Sequence, residues 1–341
     1  MNMEQWNSGT ANAGTANPGT SNRESNREPN PEQQPGTRNL EPGTVLVTGA
    51  AGFAGSHLLE HLSARGDRVV GWSRADVDFT DREAVRARIG ELKPSAVYHC
   101  AGAPHVAESW RDTARPLRDN VIGTHHLLDA LRRAGAACRV LIPGSAYVYR
   151  PSTSPLVESD PVAPASPYAL SKLAQEQLGT HGIEEDGLEV IVTRSFNHTG
   201  PRQQPAFAAP AFARQLARIE AGLDEPVLAV GNLDARRDLT DVRDVVRAYE
   251  LLIARGRPGE PYNVCSGDVR SIGEVLDGLR ARVRVPVRVE VEPSRLRPND
   301  APVLAGDSSK LRADTGWTPA IGFDRMLDDL LEFWRGQVRR P

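Results

Sequence analysis

Tyr168 and Lys172 stand four residues apart in Pro167-Tyr-Ala-Leu-Ser-Lys172, a stretch with a helical pattern, so they share one helix face. A phenol titrates near about 10 and is a poor acid–base group at neutral pH. A lysine cation one turn away favours the phenolate. Lowering the phenol by about three units needs about 4 kcal/mol of differential interaction. Ser145 ends the apolar run Val140-Leu-Ile-Pro-Gly-Ser145, and its hydroxyl suits holding a carbonyl or hydroxyl beside the phenol. A Tyr–Lys pair taken alone reads as an ordinary pair on a helix surface. The elements around it decide otherwise.

Residues Thr48–Gly55 read TGAAGFAG, directly after Val45-Leu-Val47 and directly before Ser56-His-Leu-Leu59. A buried strand, a glycine-rich turn and an amphipathic helix follow one another without spare residues. Gly49, Gly52 and Gly55, with Phe53 and Ala54 between the last two, have the spacing of a dinucleotide turn. The first glycine permits a tight turn, the second lets the backbone approach a pyrophosphate, and the third lets helix pack on strand. Phosphates then sit on the free N–H groups at the helix N-terminus. A positively charged nicotinamide, Lys172 and a helix N-terminus would together depress the Tyr168 phenol.

The 341 residues suffice for one large or two modest domains, and the formal net charge of −3 gives no electrostatic reason to expect nucleic acid or an anionic membrane as partner. No apolar run reaches the ~18 residues of a membrane span, and no secretory signal is visible. Cys100, Cys138 and Cys265 lie in or beside apolar runs, so buried free thiols and a cytoplasmic location are expected. Residues 1–42 carry near-repeats of N-x-G-T and S-N-R-E with almost no bulky apolar residue. They read as a disordered low-complexity tail, or as an upstream start translated into low-complexity sequence.

From Thr44 onward, apolar runs alternate with helical patterns. The runs are Val45–Thr48, Val69–Trp72, Ala96–Cys100, Val140–Ser145, Val190–Arg194 and Tyr262–Val264. Helices are expected over Arg82–Ile89, Leu117–Ala134 and Pro167–His181. The implied fold is α/β, a doubly wound parallel sheet with a smaller C-terminal α/β unit. Residues 43–196 and 236–265 would form the dinucleotide-binding domain, and 197–235 with 266–341 the second domain, facing the carboxyl ends of the strands.

With glycine turn, strand-end serine and Tyr–Lys pair in this order, residues 44 to about 335 resemble the extended short-chain dehydrogenases/reductases of the sugar-nucleotide epimerase/dehydratase family. The resemblance implies a Ser145–Tyr168–Lys172 catalytic triad. It places Asn120, in Asn120-Val-Ile-Gly-Thr124, on a family position beside the cofactor, and Asp78 with Phe79 on the adenine. Ala101 and Gly102 would pass under the cofactor. The turn Gly71-Trp-Ser-Arg74 lacks an acid for a ribose 2′-hydroxyl. Arg74 there suits a 2′-phosphate, so NADPH is expected, with NADH left open through Asp76.

The C-terminal half narrows the resemblance. Ser195-Phe-Asn-His-Thr-Gly-Pro201, Val230–Asp244, Tyr262–Gly267, Arg297-Pro-Asn-Asp300 and Gly316-Trp-Thr-Pro319 are similar to the GDP-4-dehydro-6-deoxy-D-mannose reductase branch, and less to GDP-mannose 4,6-dehydratases. Asn197, Arg237 and Arg297 would then contact the diphosphate and ribose of a GDP-sugar, with Arg202 assisting. Dehydratases carry an acid two residues after the catalytic Ser/Thr, and here that residue is Tyr147. The implied reaction is reduction of a GDP-4-keto-6-deoxy sugar, forming GDP-D-rhamnose. The competing readings are a UDP-sugar 4-epimerase, a GDP-mannose 4,6-dehydratase and a non-enzymatic NAD(P)-sensing regulator. A homodimer through Leu117–Ala134 and Pro167–His181 is implied by the resemblance. His57-Leu-Leu-Glu-His61 has a zinc-peptidase spelling, but it lies behind the phosphate turn, so no metal is expected.

Overall fold

The computed structural model describes residues 43–295 and 301–339. The low-complexity segment 1–42 and Arg297 lie outside the described residues. The chain begins with β1 (Thr44–Thr48), α1 (Phe53–Ala64), β2 (Arg68–Trp72), α2 (Arg82–Leu92) and β3 (Ala96–His99). Two short helices, α3 (Val106–Ser109) and α4 (Ala114–Pro116), lead into a π-helical turn (Leu117–Ile122) and α5 (Gly123–Arg133). Next come β4 (Arg139–Pro143), α6 (Pro167–Glu184), β5 (Glu189–Ser195), β6 (Asn197–Thr199), α7 (Ala208–Glu220) and β7 (Val227–Val230). Then follow β8 (Arg236–Asp241), α8 (Val242–Arg255), β9 (Pro261–Val264), β10 (Val269–Ser271), α9 (Ile272–Arg280) and β11 (Arg288–Val291). The chain closes with β12 (Val303–Leu304), α10 (Ser309–Thr315) and α11 (Phe323–Val338).

Six strands form a parallel sheet in the order β2-β1-β3-β4-β5-β9. The apolar runs are near-continuous because each strand serves two cores. Val45 and Val47 face Leu58 and Leu62 of α1 and Tyr249 and Leu252 of α8. Leu46 between them faces the other way, with Val85 and Ile89 of α2 and Leu127 and Leu131 of α5. In β4, Leu141 joins the first core while Val140 and Ile142 join the second. A side-chain period of two serves both faces only if every position is apolar. Each such buried side chain contributes roughly 1.5–3 kcal/mol. The doubly wound parallel sheet read from the sequence is the observed fold.

The strand order switches direction at β1, with β2 on one side and β3 on the other. Ligands of open α/β sheets bind at such a switch, outside the carboxyl ends of the strands. The glycine turn after β1, residues 100–102 after β3 and Ser145 after β4 all emerge at this edge.

The remaining strands form two smaller sheets. β8 lies between β10 and β12 and also pairs with β6, while β7 pairs with β11. Helices α7, α9 and α11 close a separate core with Leu228 and Val230. The sequence boundaries grouped 236–265 with the main sheet. Helix α8 and strand β9 do belong there, but β8 does not. The buried side chains of Arg-Arg-Asp-Leu-Thr-Asp are polar, Arg237, Asp238, Thr240 and Asp241, and they are met by local hydrogen bonds, such as those Asp238 accepts from Ser266 and Gly267 N–H, rather than by the apolar core of the main sheet. No helix among the described residues is long and apolar enough to cross a membrane. Cys138 and Cys265 are buried free thiols, and Cys100 is half-buried and also free.

Candidate active site

The glycine turn is held by sterics. Gly49 adopts φ +65°, and a Cβ there would meet the Cys100 and Ala101 backbone at 2.7 Å. A Cβ on Gly55 would collide with the Gly49 carbonyl. Only hydrogen at both positions lets β1, α1 and the strand-β3 loop close together. Gly52 N–H donates to the Gly49 carbonyl at 2.8 Å, and Gly52 is the N-cap of α1 without a side-chain cap. The first turn of α1, with Phe53 and Ala54, has no acidic residue. Its N–H groups and dipole therefore remain available to an anion, which is what a pyrophosphate needs.

Below this turn runs a buried chain of hydrogen bonds. The Thr48 hydroxyl lies 2.9 Å from His99 Nδ1 and accepts from Ala101 N–H at 3.1 Å. His99 Nε2 lies 3.1 Å from the Thr124 hydroxyl, to which Gln175 Nε2 donates at 2.6 Å. Burial, with Lys172 nearby, lowers the His99 pKa to about 3, so the ring is neutral. Asn120 sits in the π-helical turn and is fully buried. Its Oδ1 accepts from Ala103 N–H at 2.6 Å, and its Nδ2 donates to the Ser171 hydroxyl at 2.8 Å. Ser171 in turn donates to the Tyr168 carbonyl at 2.7 Å. Asn120 thus joins the loop that contains Ala101 and Gly102 to the helix that contains Tyr168. Thr48, His99, Thr124, Ser171 and Gln175 were not singled out in the sequence. The signal was a histidine and a threonine closing two adjacent apolar strands.

Helix α6 begins where its cap dictates. The Ser166 hydroxyl accepts from Ala169 N–H at 3.1 Å, and Pro167 occupies the first turn. Tyr168 is half-buried in that turn, with Lys172 one turn further on. Ser145 is buried, accepts from Tyr147 N–H at 3.3 Å, and its hydroxyl is near enough to the Tyr168 phenol to favour the phenolate. The structure therefore brings together Ser145, Tyr168, Lys172 and Asn120 at the edge that also holds Ala101, Gly102 and the glycine turn.

The electrostatics differ from the expectation in one respect. Burial pushes the Tyr168 phenol up to about 12; Ser145 opposes this and Tyr147 adds to it. Lys172 is not among the groups that pull the phenol down. Its ammonium donates to the Pro143 carbonyl at 2.9 Å, and burial lowers its pKa to about 8. Desolvation outweighs what the protein's own charges offer the phenolate.

After β2, Arg74 pairs with the buried Asp119 at 2.9 Å, and Arg118 meets the same carboxylate at 2.9 Å. Asp76 accepts from the Ser73 N–H at 2.8 Å and hydroxyl at 2.7 Å, so its carboxylate is engaged locally. Asp78 accepts from Thr80 N–H at 2.9 Å and from the Thr80 hydroxyl at 2.8 Å, and these bonds hold its carboxyl below the usual range. Phe79 is buried, its ring 5.3 Å from that of His99. Its side chain is used in packing, so only its backbone remains for a ligand.

On the opposite side, Asn197 begins β6 and Arg237 lies on the neighbouring β8. The Asn197 Oδ1 is buried and has no hydrogen-bond partner, a costly state for a polar atom. Arg237 is buried and donates to the Arg236 carbonyl at 2.8 Å. Arg202 is not placed as expected. Its guanidinium is held by Glu60 at 2.6 Å and His57 at 2.7 Å. His61 bonds to Glu250 at 2.7 Å, so the His57–His61 spelling serves packing between α1 and its neighbours. No group of three metal-ligating side chains occurs among the described residues.

A parallel sheet with a glycine turn at its switch point, a strand-end serine and a Tyr–Lys helix define an NAD(P)-binding oxidoreductase of the short-chain dehydrogenase/reductase type. The family model described as GDP-mannose 4,6 dehydratase matches residues 73–330, and the chain belongs to this family of sugar-nucleotide enzymes. It is 36% identical over 302 residues to GDP-6-deoxy-D-mannose reductase of Pseudomonas aeruginosa, covering 86% of this chain and 98% of that protein. It is 29% identical over 327 residues to GDP-mannose 4,6 dehydratase 2 of Arabidopsis thaliana, covering 86% and 87% of the two chains. Among solved structures, the Pseudomonas aeruginosa RMD complexed with NADPH superimposes with a TM-score of 0.80 at 34% identity, covering 86% of this chain and 99% of that one. The Thermus thermophilus UDP-glucose 4-epimerase complex with NAD gives 0.77 at 30% identity, covering 86% and 99%.

Proposed function

We propose that the protein uses NADPH to reduce the C4 ketone of GDP-4-dehydro-6-deoxy-D-mannose, forming GDP-D-rhamnose. The observation that carries this reading is the convergence of Ser145 and the Tyr168 phenol at the end of β4, with Tyr147 beside them where a dehydratase has an acid. Bound NADPH supplies the hydride. Ser145 holds the ketone oxygen, and Tyr168 delivers a proton to that oxygen as it becomes a hydroxyl. A phenol that stays protonated until the site is loaded is a suitable proton donor. Lys172 is available to leave the Pro143 carbonyl and hold a ribose hydroxyl beside Tyr168. Asn120 fixes the loop of Ala101 and Gly102 against α6.

Arg74 and Arg118 share the single Asp119 carboxylate, so the pair keeps a net positive charge that favours a 2′-phosphate over a bare ribose, and the engagement of Asp76 by Ser73 supports the same choice. The unpartnered Asn197 Oδ1 and the adjacent Arg237 suit a diphosphate-linked sugar, with Arg297 assigned to the same ligand. A cytoplasmic homodimer remains part of the proposal, with exposed Ile122 and Leu170 as its apolar contacts on the π-helical turn and α6.

The sharpest competitor is dehydration, since the family takes its description from that activity. Elimination of water across C5–C6 needs a carboxyl acid–base group, and the residue at that position is Tyr147. The test is incubation with GDP-D-mannose and oxidised cofactor. The reductase reading expects no 4-keto product by NMR. Its accumulation at an enzymatic rate would assign the chain to dehydration instead.

A further inference from the structure

Behind the glycine turn, α1 is fastened to the segment that follows Asn197. His57 is buried on α1; its Nε2 donates to the Pro201 carbonyl at 2.8 Å, leaving Nδ1 to accept from Arg202 Nη2 at 2.7 Å. The same Arg202 nitrogen reaches Glu60 Oε2, one turn further along α1, at 2.6 Å. The Phe53 ring, in the first turn of α1, stacks on His198 at 5.8 Å with planes 8° apart. The segment is also braced internally. The Thr199 hydroxyl donates to Gln203 Oε1 at 2.6 Å, and Gln203 Nε2 donates to the His198 carbonyl at 3.0 Å. Arg202 itself adopts φ +73°, a left-handed conformation that residues other than glycine seldom take. Such a conformation persists only where surrounding contacts impose it.

These contacts join two particular places. Helix α1 presents the N-terminus that suits a pyrophosphate, and Asn197 lies five residues before Arg202 with its buried Oδ1 unpartnered. A guanidinium already bonded to a carboxylate also makes a weak ligand for a second anion, and Glu60 would repel a diphosphate brought to it. We propose that Glu60, His57 and Arg202 form a latch that sets the substrate-binding segment Asn197–Gln203 against the cofactor-binding helix. Arg202 is then a positioning residue, not a diphosphate ligand. The inference rests on the proposed roles of α1 and Asn197. Loosening the latch changes the placement of both ligands at once, because one element carries each.

The test uses the full chain with NADPH and GDP-mannose as binding probes, in the variants Arg202→Gln, Glu60→Gln and the two combined. The latch predicts that each single substitution weakens both ligands about fivefold, as loss of a part-exposed charge-assisted bond does. The combined variant should be no weaker than Arg202→Gln alone, since that substitution already removes the bond to Glu60. The charge-swapped pair Glu60→Arg with Arg202→Glu should recover part of both affinities, which guards against a variant that merely folds badly. A direct ligand role behaves differently: Glu60→Gln would tighten GDP-mannose while Arg202→Gln weakened it alone. That pattern overturns the latch, and so does a lowered melting temperature with both dissociation constants unchanged. A wild-type chain that binds no NADPH overturns the reading of α1 and the latch with it.

Discussion

Two regions of the site are built on different physics. Around Gly49, Gly52 and Gly55 the geometry is set by backbone contact, and an added Cβ on Gly49 or Gly55 would strike carbonyl or amide atoms. Around Asn197, Arg202 and Arg237 it is set by long side chains whose partners lie far away in sequence, as Glu60 and His57 do for Arg202. Backbone sterics admit one residue type at fixed spacing, so the first region is specified locally. A guanidinium accepts several partners, so the second is specified only once the chain has folded.

Substitutions should separate the two regions, and the largest effect falls between them. Tyr168→Phe removes the proton donor and leaves the rest of the pocket in place. It should lower kcat by roughly 10²–10⁴-fold with NADPH affinity nearly unchanged. Stopped-flow oxidation of NADPH with a saturating ketosugar measures this, and retention of most activity would transfer the proton to another group. On the substrate side, Arg237→Ala should reduce kcat/KM by about 30- to 150-fold, equivalent to about 2–3 kcal/mol for a charge-assisted bond. Titration with NADPH should show little change in that variant. A matching loss of cofactor affinity would erase the distinction between the two regions.

A smaller effect probes the polar chain under the glycine turn. His99 titrates at about 3 in the folded protein, against an ordinary value of 6.5. Between these values the unfolded chain binds more protons, so stability is fully present above pH 6.5 and falls as pH drops towards 3. Urea midpoints at pH 7 and pH 4.5 should therefore differ less in His99→Asn than in the wild type. Equal differences would mean that His99 is not a neutral member of the network. The smallest effect is expected from deleting residues 1–40, which lack apolar periodicity. NADPH affinity should not change, and stability should stay within about 1 kcal/mol.

The same contrast explains what the sequence disclosed. All six strands of the parallel sheet were legible, since a strand buried on both faces must read as a continuous apolar run. The start of α6 was legible from Pro167, and the glycine turn from its spacing. The π-helical turn that aims Asn120 was not, because the shift in backbone bonding there leaves no mark on the periodicity of Leu117–Ala134. Strand β8 was misgrouped because its neighbours β6, β10 and β12 are scattered through the sequence. Arg202 was assigned to an anion because arginine suits phosphate, and nothing local reveals that Glu60 already holds it. The serine, tyrosine and lysine were found, but not their electrostatic balance. Burial pushes the phenol up while the lysine one turn away is engaged by the Pro143 carbonyl, and both are properties of the whole fold.

The central claim is hydride transfer to a GDP-linked ketosugar. The most direct measurement follows NADPH oxidation with GDP-4-dehydro-6-deoxy-D-mannose and, in parallel, with dTDP-4-dehydro-6-deoxy-D-glucose, with products identified by NMR. A pocket that hydrogen-bonds guanine leaves buried polar groups unpaired when offered thymine, so discrimination should be large. The account predicts one NADPH consumed per GDP-D-rhamnose formed and little turnover of the dTDP-sugar. Equal rates with both, or no oxidation with the GDP-sugar, would contradict it.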